Sequence, residues 1–243
     1  MFETPPKLDF VMPGFLVGSV GCIVSEKPIG KSMLAFELAL SVASGFDISG
    51  LWGGQPITSG YVTYLAANDP DEAISERIYS MGKYLSEGCR NQAIDNLTII
   101  PMYGRSKPDL EQQEGRHEIV DYSKGKRLLV IDTLRMFHTM DDTNSEQMAY
   151  LVDRLNNIAR CFSCAILLVF PSHCSTLMDY MRWSLELTHH PDDGDLLKRS
   201  ASDETYSVIR ADFTSGSFDS GIKSILMRRV SGGVLVPIDR IHD

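Results

Sequence analysis

The sequence has no long apolar run. The longest extends from Ala165 to Phe170 and is far too short to cross a bilayer. The opening residues, MFETPPKLDF, lack the charged, apolar and small-residue regions of a secretory signal. We therefore expect a cytoplasmic protein without membrane contacts.

Positive charge is also scarce. Lys and Arg number 23 against 32 Asp and Glu, which gives a net charge of −9. This balance argues against a surface coated with cations for sequence-independent DNA binding. Any contact with single-stranded DNA must therefore be local and weak. The basic segments Lys124–Arg127 and Met227–Arg229 are short, and we interpret them as solvated flanks of strands.

The cysteines do not form a disulfide framework. There are five, an odd number, and we expect reduced thiols. Cys161 and Cys164 form a CxxC pair, with His173 and Cys174 further along, so a zinc site is the alternative. No second CxxC or HxxxH completes a ligand set, and the intervening AILLVF has the pattern of a buried strand.

What is present is typical of one α/β domain. The chain has 243 residues, of which 43% are apolar and 23% charged, and we assign residues 1–243 to a single domain with an N-terminal arm at 1–14. Strand-like and helix-like segments alternate, which predicts a mostly parallel central sheet flanked by helices. Residues 172–203 are predicted to be variable and mobile, with a helix in DYMRWSLELTHH. The last 40 residues predict antiparallel strands.

The segment SEKPIGKS, Ser25 to Ser32, fits the phosphate-binding pattern GxxxxGK[ST] between an apolar strand and an amphipathic helix. Gly30 allows the backbone to wrap phosphates, Lys31 supplies a charge, and Ser32 offers a hydroxyl to Mg²⁺. Ser25 replaces the usual first glycine. The alternative is an incidental polar turn, which the strand and helix flanks argue against. The predicted nucleotide-binding residues here are Ser25, Glu26, Lys27, Pro28, Ile29, Gly30, Lys31, Ser32 and Met33.

A second motif, RLLVID, is an apolar strand that ends in Asp132. In a P-loop protein this carboxylate and the hydroxyl of Ser32 hold Mg²⁺, the carboxylate usually through water. The alternative is an aspartate that caps the helix beginning in TLRMF. The motifs together favour the metal role and predict ATP and Mg²⁺ as ligands.

Several blocks resemble the RepA-type hexameric replicative helicases of broad-host-range plasmids. They are listed in chain order: LDFVMPGFLVGSVGCIVSEKPIGKSMLA, GYVTYLAANDPDEAISERI, KRLLVIDTLRMFH and RRVSGGVLVP. The resemblance implies a RecA-like P-loop NTPase fold, ATP bound at a subunit interface, and a ring that moves on single-stranded DNA. It also implies that Arg77 stacks on adenine, with a solvated helix face as the alternative. Arg135 and Arg182 match family positions that brace the interface or the nucleotide, with ordinary salt bridges as the alternative.

The family's catalytic glutamate is replaced. The resemblance places it in a Y-L-x-A-E-D-P context, where this chain has Asn68 followed by Asp69 and Pro70. An amide cannot accept the proton of the attacking water. Loss of a general base commonly costs about 10²- to 10⁴-fold in rate. Asp69 is the candidate substitute, although neighbouring residues at a strand end generally point in different directions.

Two further family features are missing. Phe170-Pro171 stands where the family has a His-His pair that senses the γ-phosphate, and we interpret His173 as a surface histidine. Phe213 to Ser217 contains no cation where the family supplies one to the neighbouring subunit. Such a trans-acting cation is typically worth about 10³- to 10⁵-fold in turnover.

The retained residues serve binding, and the replaced ones serve hydrolysis. We therefore expect a RepA-helicase-like, Mg-ATP-binding protein of mobile-element replication or maintenance, with weak or absent hydrolysis. It would self-associate into a ring or pair with an active paralogue. The alternatives are an active hexameric 5′–3′ type DNA helicase in which Asp69 serves as base, and a scaffold that binds no nucleotide.

Overall fold

A computed structural model describes residues 7–26, 28–53, 57–171, 175–178, 180–190, 208–216 and 224–238. Its helices are α1 (Lys31–Ser44), α2 (Asp71–Gly82), α3 (Glu87–Asn96), α4 (Gln113–Ser123), α5 (Ser145–Phe162) and α6 (Ser175–Met178). Its strands are β1 (Phe10–Met12), β2 (Phe15–Leu16), β3 (Val20–Ser25), β4 (Val62–Ala66), β5 (Leu97–Pro101), β6 (Leu128–Asp132), β7 (Ala165–Pro171), β8 (Trp183–His189), β9 (Val208–Gly216), β10 (Ser224–Arg229) and β11 (Leu235–Pro237). Two 3₁₀ turns lie at Leu134–Phe137 and Ser231–Gly233.

One nine-stranded sheet organises the described residues, in the order β11-β10-β9-β8-β3-β7-β6-β4-β5. The strands from β8 to β5 are parallel to their neighbours. The strands from β8 to β11 pair antiparallel. The predicted α/β fold, with helices flanking a mostly parallel sheet and antiparallel strands at the C-terminal end, is confirmed.

Helices cover both faces of the parallel strands. Every residue of β3, β4 and β6 is buried, as expected of strands covered on two sides. The apolar residues of α1 pack in a core with one set of alternating strand residues. Those of α4 and α5 pack with the other set. The phosphate-binding motif therefore lies at the end of a central, rigid strand.

The first helix has the ends that its sequence predicts. It begins directly after Gly30 and stops at Gly45, which has a φ of 72°. The Gly45 N–H donates to the Ser41 carbonyl at 2.9 Å. Glycine is favoured at such a position because the left-handed conformation penalises a Cβ.

Two elements differ from expectation. The segment predicted as a helix around DYMRWSLELTHH contains β8, which pairs with β3 and β9. Trp183, Leu185 and Leu187 are buried, and these apolar residues recur at every second position, which is a strand period. The helix α3 was not predicted, because its sequence EGCRNQAIDN has little apolar periodicity.

The predicted flexible parts are only partly described. Within 172–203, residues 175–178 form α6 and residues 183–189 form the strand β8, and the mobility of this segment stays a prediction. The residues of this segment other than 175–178 and 180–190, His173 and Cys174 among them, lie outside the described residues. Within the arm 1–14, residues 1–6 lie outside them and Phe10–Met12 forms β1. No described helix combines the length and apolar character needed to span a membrane.

The two thiols of the CxxC pair differ in exposure, and the other two ligands considered with them, His173 and Cys174, lie outside the described residues. Cys161 is exposed at the end of α5, whereas Cys164 is buried. Burial raises the pKa of the Cys164 thiol to about 12, so the free thiol stays protonated. Among the described residues, no cluster of three or more His, Cys, Asp or Glu could hold a metal.

Candidate functional site

The phosphate-binding motif joins β3 to α1 at the carboxyl end of the sheet. Ser25 ends β3, Gly30 precedes α1, and Lys31, Ser32 and Met33 lie in its first turn. Gly30 has a φ of 116°, a conformation that L-residues with a Cβ rarely adopt. The loop thus leads directly into the N-terminus of a buried helix, where backbone N–H groups favour anions.

The structure places the other predicted loop residues around this turn. Glu26 and Pro28 are exposed, Ile29 is buried against the core, and Lys27 lies outside the described residues. An exposed outer edge and a buried apolar residue are compatible with a loop that wraps a ligand. The role of each in binding stays a prediction.

Lys31 reaches back across the loop. Its Nζ donates to the Ser25 Oγ at 2.7 Å and to the Ser25 carbonyl oxygen at 3.3 Å. Burial lowers the pKa of the Lys31 ammonium, and the Asp132 carboxylate opposes that change. The serine that replaces the first glycine of the motif therefore supplies a hydroxyl that orients the lysine.

Ser32 and Asp132 meet although they are 100 positions apart. The Ser32 Oγ donates to Asp132 Oδ1 at 3.1 Å, and the Tyr64 hydroxyl donates to Asp132 Oδ2 at 2.5 Å. Burial raises the pKa of Asp132, while these two hydrogen bonds lower it. Asp132 does not cap the following 3₁₀ turn, because Thr133 is the capping residue and no side-chain cap bond is present.

These residues fit a magnesium ion. One hydroxyl and one carboxylate are hard oxygen ligands, and Mg²⁺ is usually held by one or two carboxylates together with substrate phosphates and water. The pair lies at the end of β6 and the start of α1, beside the motif that would hold those phosphates.

Asn68 and Asp69 follow β4 and differ in their surroundings. Asn68 is exposed. Both carboxylate oxygens of Asp69 accept hydrogen bonds from the guanidinium of Arg77, one of them at 3.0 Å. Asp69 therefore pairs with an arginine, and the N-cap position of α2 belongs to Pro70.

Arg77 points into the site. Its guanidinium carbon lies 5.8 Å from the ring centre of Phe36, and Phe36 stacks on Tyr64 at 3.9 Å between ring centres. The arginine predicted to stack on adenine is thus held between Asp69 and Phe36. Together with the contact of Tyr64 to Asp132, a continuous path of side chains joins Arg77 to the Asp132 carboxylate.

Phenylalanines lie at the positions that the resemblance assigns to the sensor and the trans cation, buried at Phe170 and partly buried at Phe213. Phe170 is 5% exposed on β7, and its strand partner is Val24. Phe213 packs against the rings of Trp52 and Trp183, with centres 5.4 and 5.8 Å apart. Ser217 lies outside the described residues. Phe170 and Phe213 therefore take part in apolar packing.

The other predicted arginines make local contacts. Arg135 bonds to Asp142 at 3.2 Å and donates to the His138 carbonyl at 3.0 Å. Arg182 is exposed before β8. Arg127 of the basic segment binds Asp9 of the N-terminal arm at 2.6 Å.

Sequence reasoning missed a carboxyl group behind the loop. Glu37, in the second turn of α1, is fully buried, and its Oε1 accepts from the Leu235 N–H at 2.7 Å. Glu37 Oε2 has no hydrogen-bond partner among the described residues. Glu37 thereby fastens β11 to the helix that begins at the phosphate-binding loop, and no local pattern reveals a contact between residues 198 positions apart.

We expect the Glu37→Gln variant to lose a pH dependence of stability. Burial is the largest influence on Glu37 and raises the pKa of its carboxyl well above 4.5. Asp47 raises this pKa further, whereas the hydrogen bond from the Leu235 amide and the charge of Arg229 lower it. Above pH 4.5 the native state then binds more protons than the unfolded state, so stability falls as pH rises, by up to about 1.4 kcal/mol per pH unit. Urea unfolding should show that the free energy of unfolding of the variant, relative to that of the wild type, is higher at pH 8 than at pH 5. Glu76→Gln, at an exposed position on α2, is the control. A variant that follows the wild-type curve would contradict the assignment.

A family comparison covers these elements. The model of the AAA domain family matches residues 1–173, which is more than two thirds of the 243 residues. The match includes the phosphate-binding loop, α1, the strand that ends at Asp132, and β7. Such a domain indicates an ATP-binding protein. The chain belongs to the AAA domain family of P-loop ATPases.

Proposed function

We propose that this protein binds Mg-ATP and hydrolyses it weakly or not at all. Residues 25–33 hold the phosphates, Ser32 and Asp132 hold the metal, and Arg77 borders the nucleotide. The closeness of the Ser32 hydroxyl to the buried carboxylate of Asp132 supports this proposal most directly. Two residues that hold one cation must be brought together by the fold, and Ser32 lies within hydrogen-bond distance of Asp132.

Weak hydrolysis follows from the chemistry at the end of β4. The amide of Asn68 cannot act as a general base. Asp69 is adjacent, but each of its oxygens accepts a hydrogen bond from Arg77, which holds the carboxylate against that guanidinium. A base must reach the proton of the attacking water, and this carboxylate is turned toward an arginine.

The broader role rests on the resemblance to RepA-type helicases. We assign the protein to DNA replication or maintenance of a mobile element, where it acts through ring assembly or through a partner. An active paralogue in a mixed ring would supply the missing trans cation. The net charge of −9 favours protein contacts over an extended DNA track.

One experiment tests this function against both alternatives. Mg-ATP binding by calorimetry and phosphate release are measured on the same preparation, with and without single-stranded DNA, with Lys31→Ala as the matched control. The proposal expects saturable binding that Lys31→Ala abolishes, and little phosphate release under either condition. DNA-stimulated turnover would establish the active helicase instead. Absence of binding in the wild type would establish the scaffold that binds no nucleotide.

A further inference from the structure

The C-terminal hairpin of β10 and β11 packs on the phosphate-binding loop. Arg229 on β10 is paired with Leu235 on β11, and the 3₁₀ turn between the strands contains Gly232 and Gly233. A Cβ at Gly232 would lie 2.4 Å from the Ser80 Oγ of α2, and one at Gly233 would lie 2.9 Å from the Met33 Cε of α1. The hairpin turn is therefore inserted between the two helices that border the site.

The hairpin is fixed in register by α1. Leu235, the strand partner of Arg229, donates its N–H to Glu37 Oε1 at 2.7 Å. Because this bond is buried, breaking it leaves an unsatisfied amide and carboxyl, which makes slippage costly. The position of Arg229 relative to α1 is thus set by a contact one turn into the helix.

Arg229 reaches the loop itself. A Cβ built on Gly30 would lie 3.0 Å from Arg229 Nη2, so the guanidinium lies directly against the backbone of the phosphate-binding turn. Arg229 Nε is buried and has no hydrogen-bond partner among the described residues. The earlier interpretation of Met227–Arg229 as a solvated flank is wrong for this side chain.

Among the residues that the structure describes, Arg229 forms no salt bridge. Glu37 lies close enough to interact with its charge, but Glu37 Oε2 has no hydrogen-bond partner among those residues. The buried Glu37 carboxyl also has a pKa raised well above its usual range, which favours its neutral form. A cation that is partly removed from water, with no salt bridge to a carboxylate in the described part of the chain, favours the binding of an anion beside it.

We propose that Arg229 is a second cation of the phosphate site. The C-terminal hairpin brings this arginine to the phosphate-binding loop of the same chain. Glu37 is the residue that positions the hairpin. The proposal rests on Mg-ATP binding as described above. It assigns the negative charge of the bound triphosphate to two side chains, Lys31 from the loop and Arg229 from β10. It also gives the hairpin a role in ligand binding in addition to packing.

The test compares Mg-ATP affinity in Arg229→Gln and Arg228→Gln. Both variants remove one positive charge from the same strand, but successive side chains point to opposite faces, so Arg228 is directed away from the loop. Calorimetry at fixed salt should show affinity reduced about 10- to 100-fold in Arg229→Gln, the range of a lost charged hydrogen bond. Arg228→Gln should bind as the wild type does. The dissociation constant of Arg229→Gln should also depend less steeply on salt.

The controls separate this inference from the proposed function. If the wild type binds Mg-ATP, Lys31→Ala does not, and Arg229→Gln binds normally, the role of Arg229 is overturned while the proposed function stands. If the wild type does not bind, the proposed function itself fails. Equal losses in Arg229→Gln and Arg228→Gln would show a general charge effect and would also overturn the proposal. Circular dichroism tests whether each variant is folded. If Arg229→Gln does not fold, Arg229→Lys is used in its place and must bind within about threefold of the wild type. A loss of affinity in Arg229→Lys equal to that of Lys31→Ala refutes the inference.

Discussion

Replacing Asn68 with glutamate should raise the rate of ATP hydrolysis by about 100-fold or more over the wild type. The substitution restores a carboxylate at the position where the resembling helicases carry their general base. Asn68 is exposed, so a longer side chain meets no core packing and the fold should be unaffected. Phosphate release under single-turnover conditions measures the change without interference from product release.

Asn68→Gln is the matched control for this prediction. Glutamine has the length of glutamate but remains an amide, so it should leave the rate at the wild-type level. An unchanged rate in Asn68→Glu, with Mg-ATP binding intact, would show that the missing base is not what limits hydrolysis. The restriction would then lie with Phe170 or with the absent trans cation.

The motifs that the sequence predicts are those made of neighbouring residues. Ser25 to Ser32 and the strand ending in Asp132 were found because a short string specifies the chemistry and its flanks specify the strand. The structure shows the side-chain contacts between these short segments. The bond from Tyr64 to Asp132 and the contact of Arg229 with Gly30 join distant segments, and no periodicity encodes them.

The errors in the fold have local causes. The segment that contains Trp183 to His189 was predicted as a helix, although its apolar residues recur at every second position. Histidines and leucines in it are compatible with helix propensity, but burial between β3 and β9 decides the conformation. The pairing of Asp69 with Arg77 was likewise hidden, because an aspartate before a proline resembles an N-cap.

The C-terminal hairpin contacts the site, which therefore includes residues outside the two sequence motifs. Glu37 fixes Leu235, Leu235 lies opposite Arg229, and Arg229 contacts the loop at Gly30. The family match ends at residue 173, before the hairpin begins. Segments outside the matched region therefore contribute to the geometry of the phosphate site.

Replacing Asp132 with asparagine should weaken Mg-ATP binding about 10- to 100-fold. The amide loses the negative charge that attracts the cation, but it retains the size of the carboxylate. The Ser32 and Tyr64 hydroxyls can turn to donate or accept, so both hydrogen bonds at this position are preserved and the fold is kept. Calorimetric titrations with ATP in the presence and absence of Mg²⁺ measure the effect, and only the Mg²⁺-dependent part should change.

Tyr64→Phe is the control for Asp132→Asn, since it removes a hydrogen bond to the same carboxylate and leaves its charge in place. It should weaken Mg-ATP binding less than Asp132→Asn does. Because Tyr64 is fully buried and stacks on Phe36, the ring itself must be retained for the comparison to report on the hydroxyl alone. If Asp132→Asn binds Mg-ATP as tightly as the wild type, the carboxylate only ties β6 to α1 and β4, and the metal is held elsewhere.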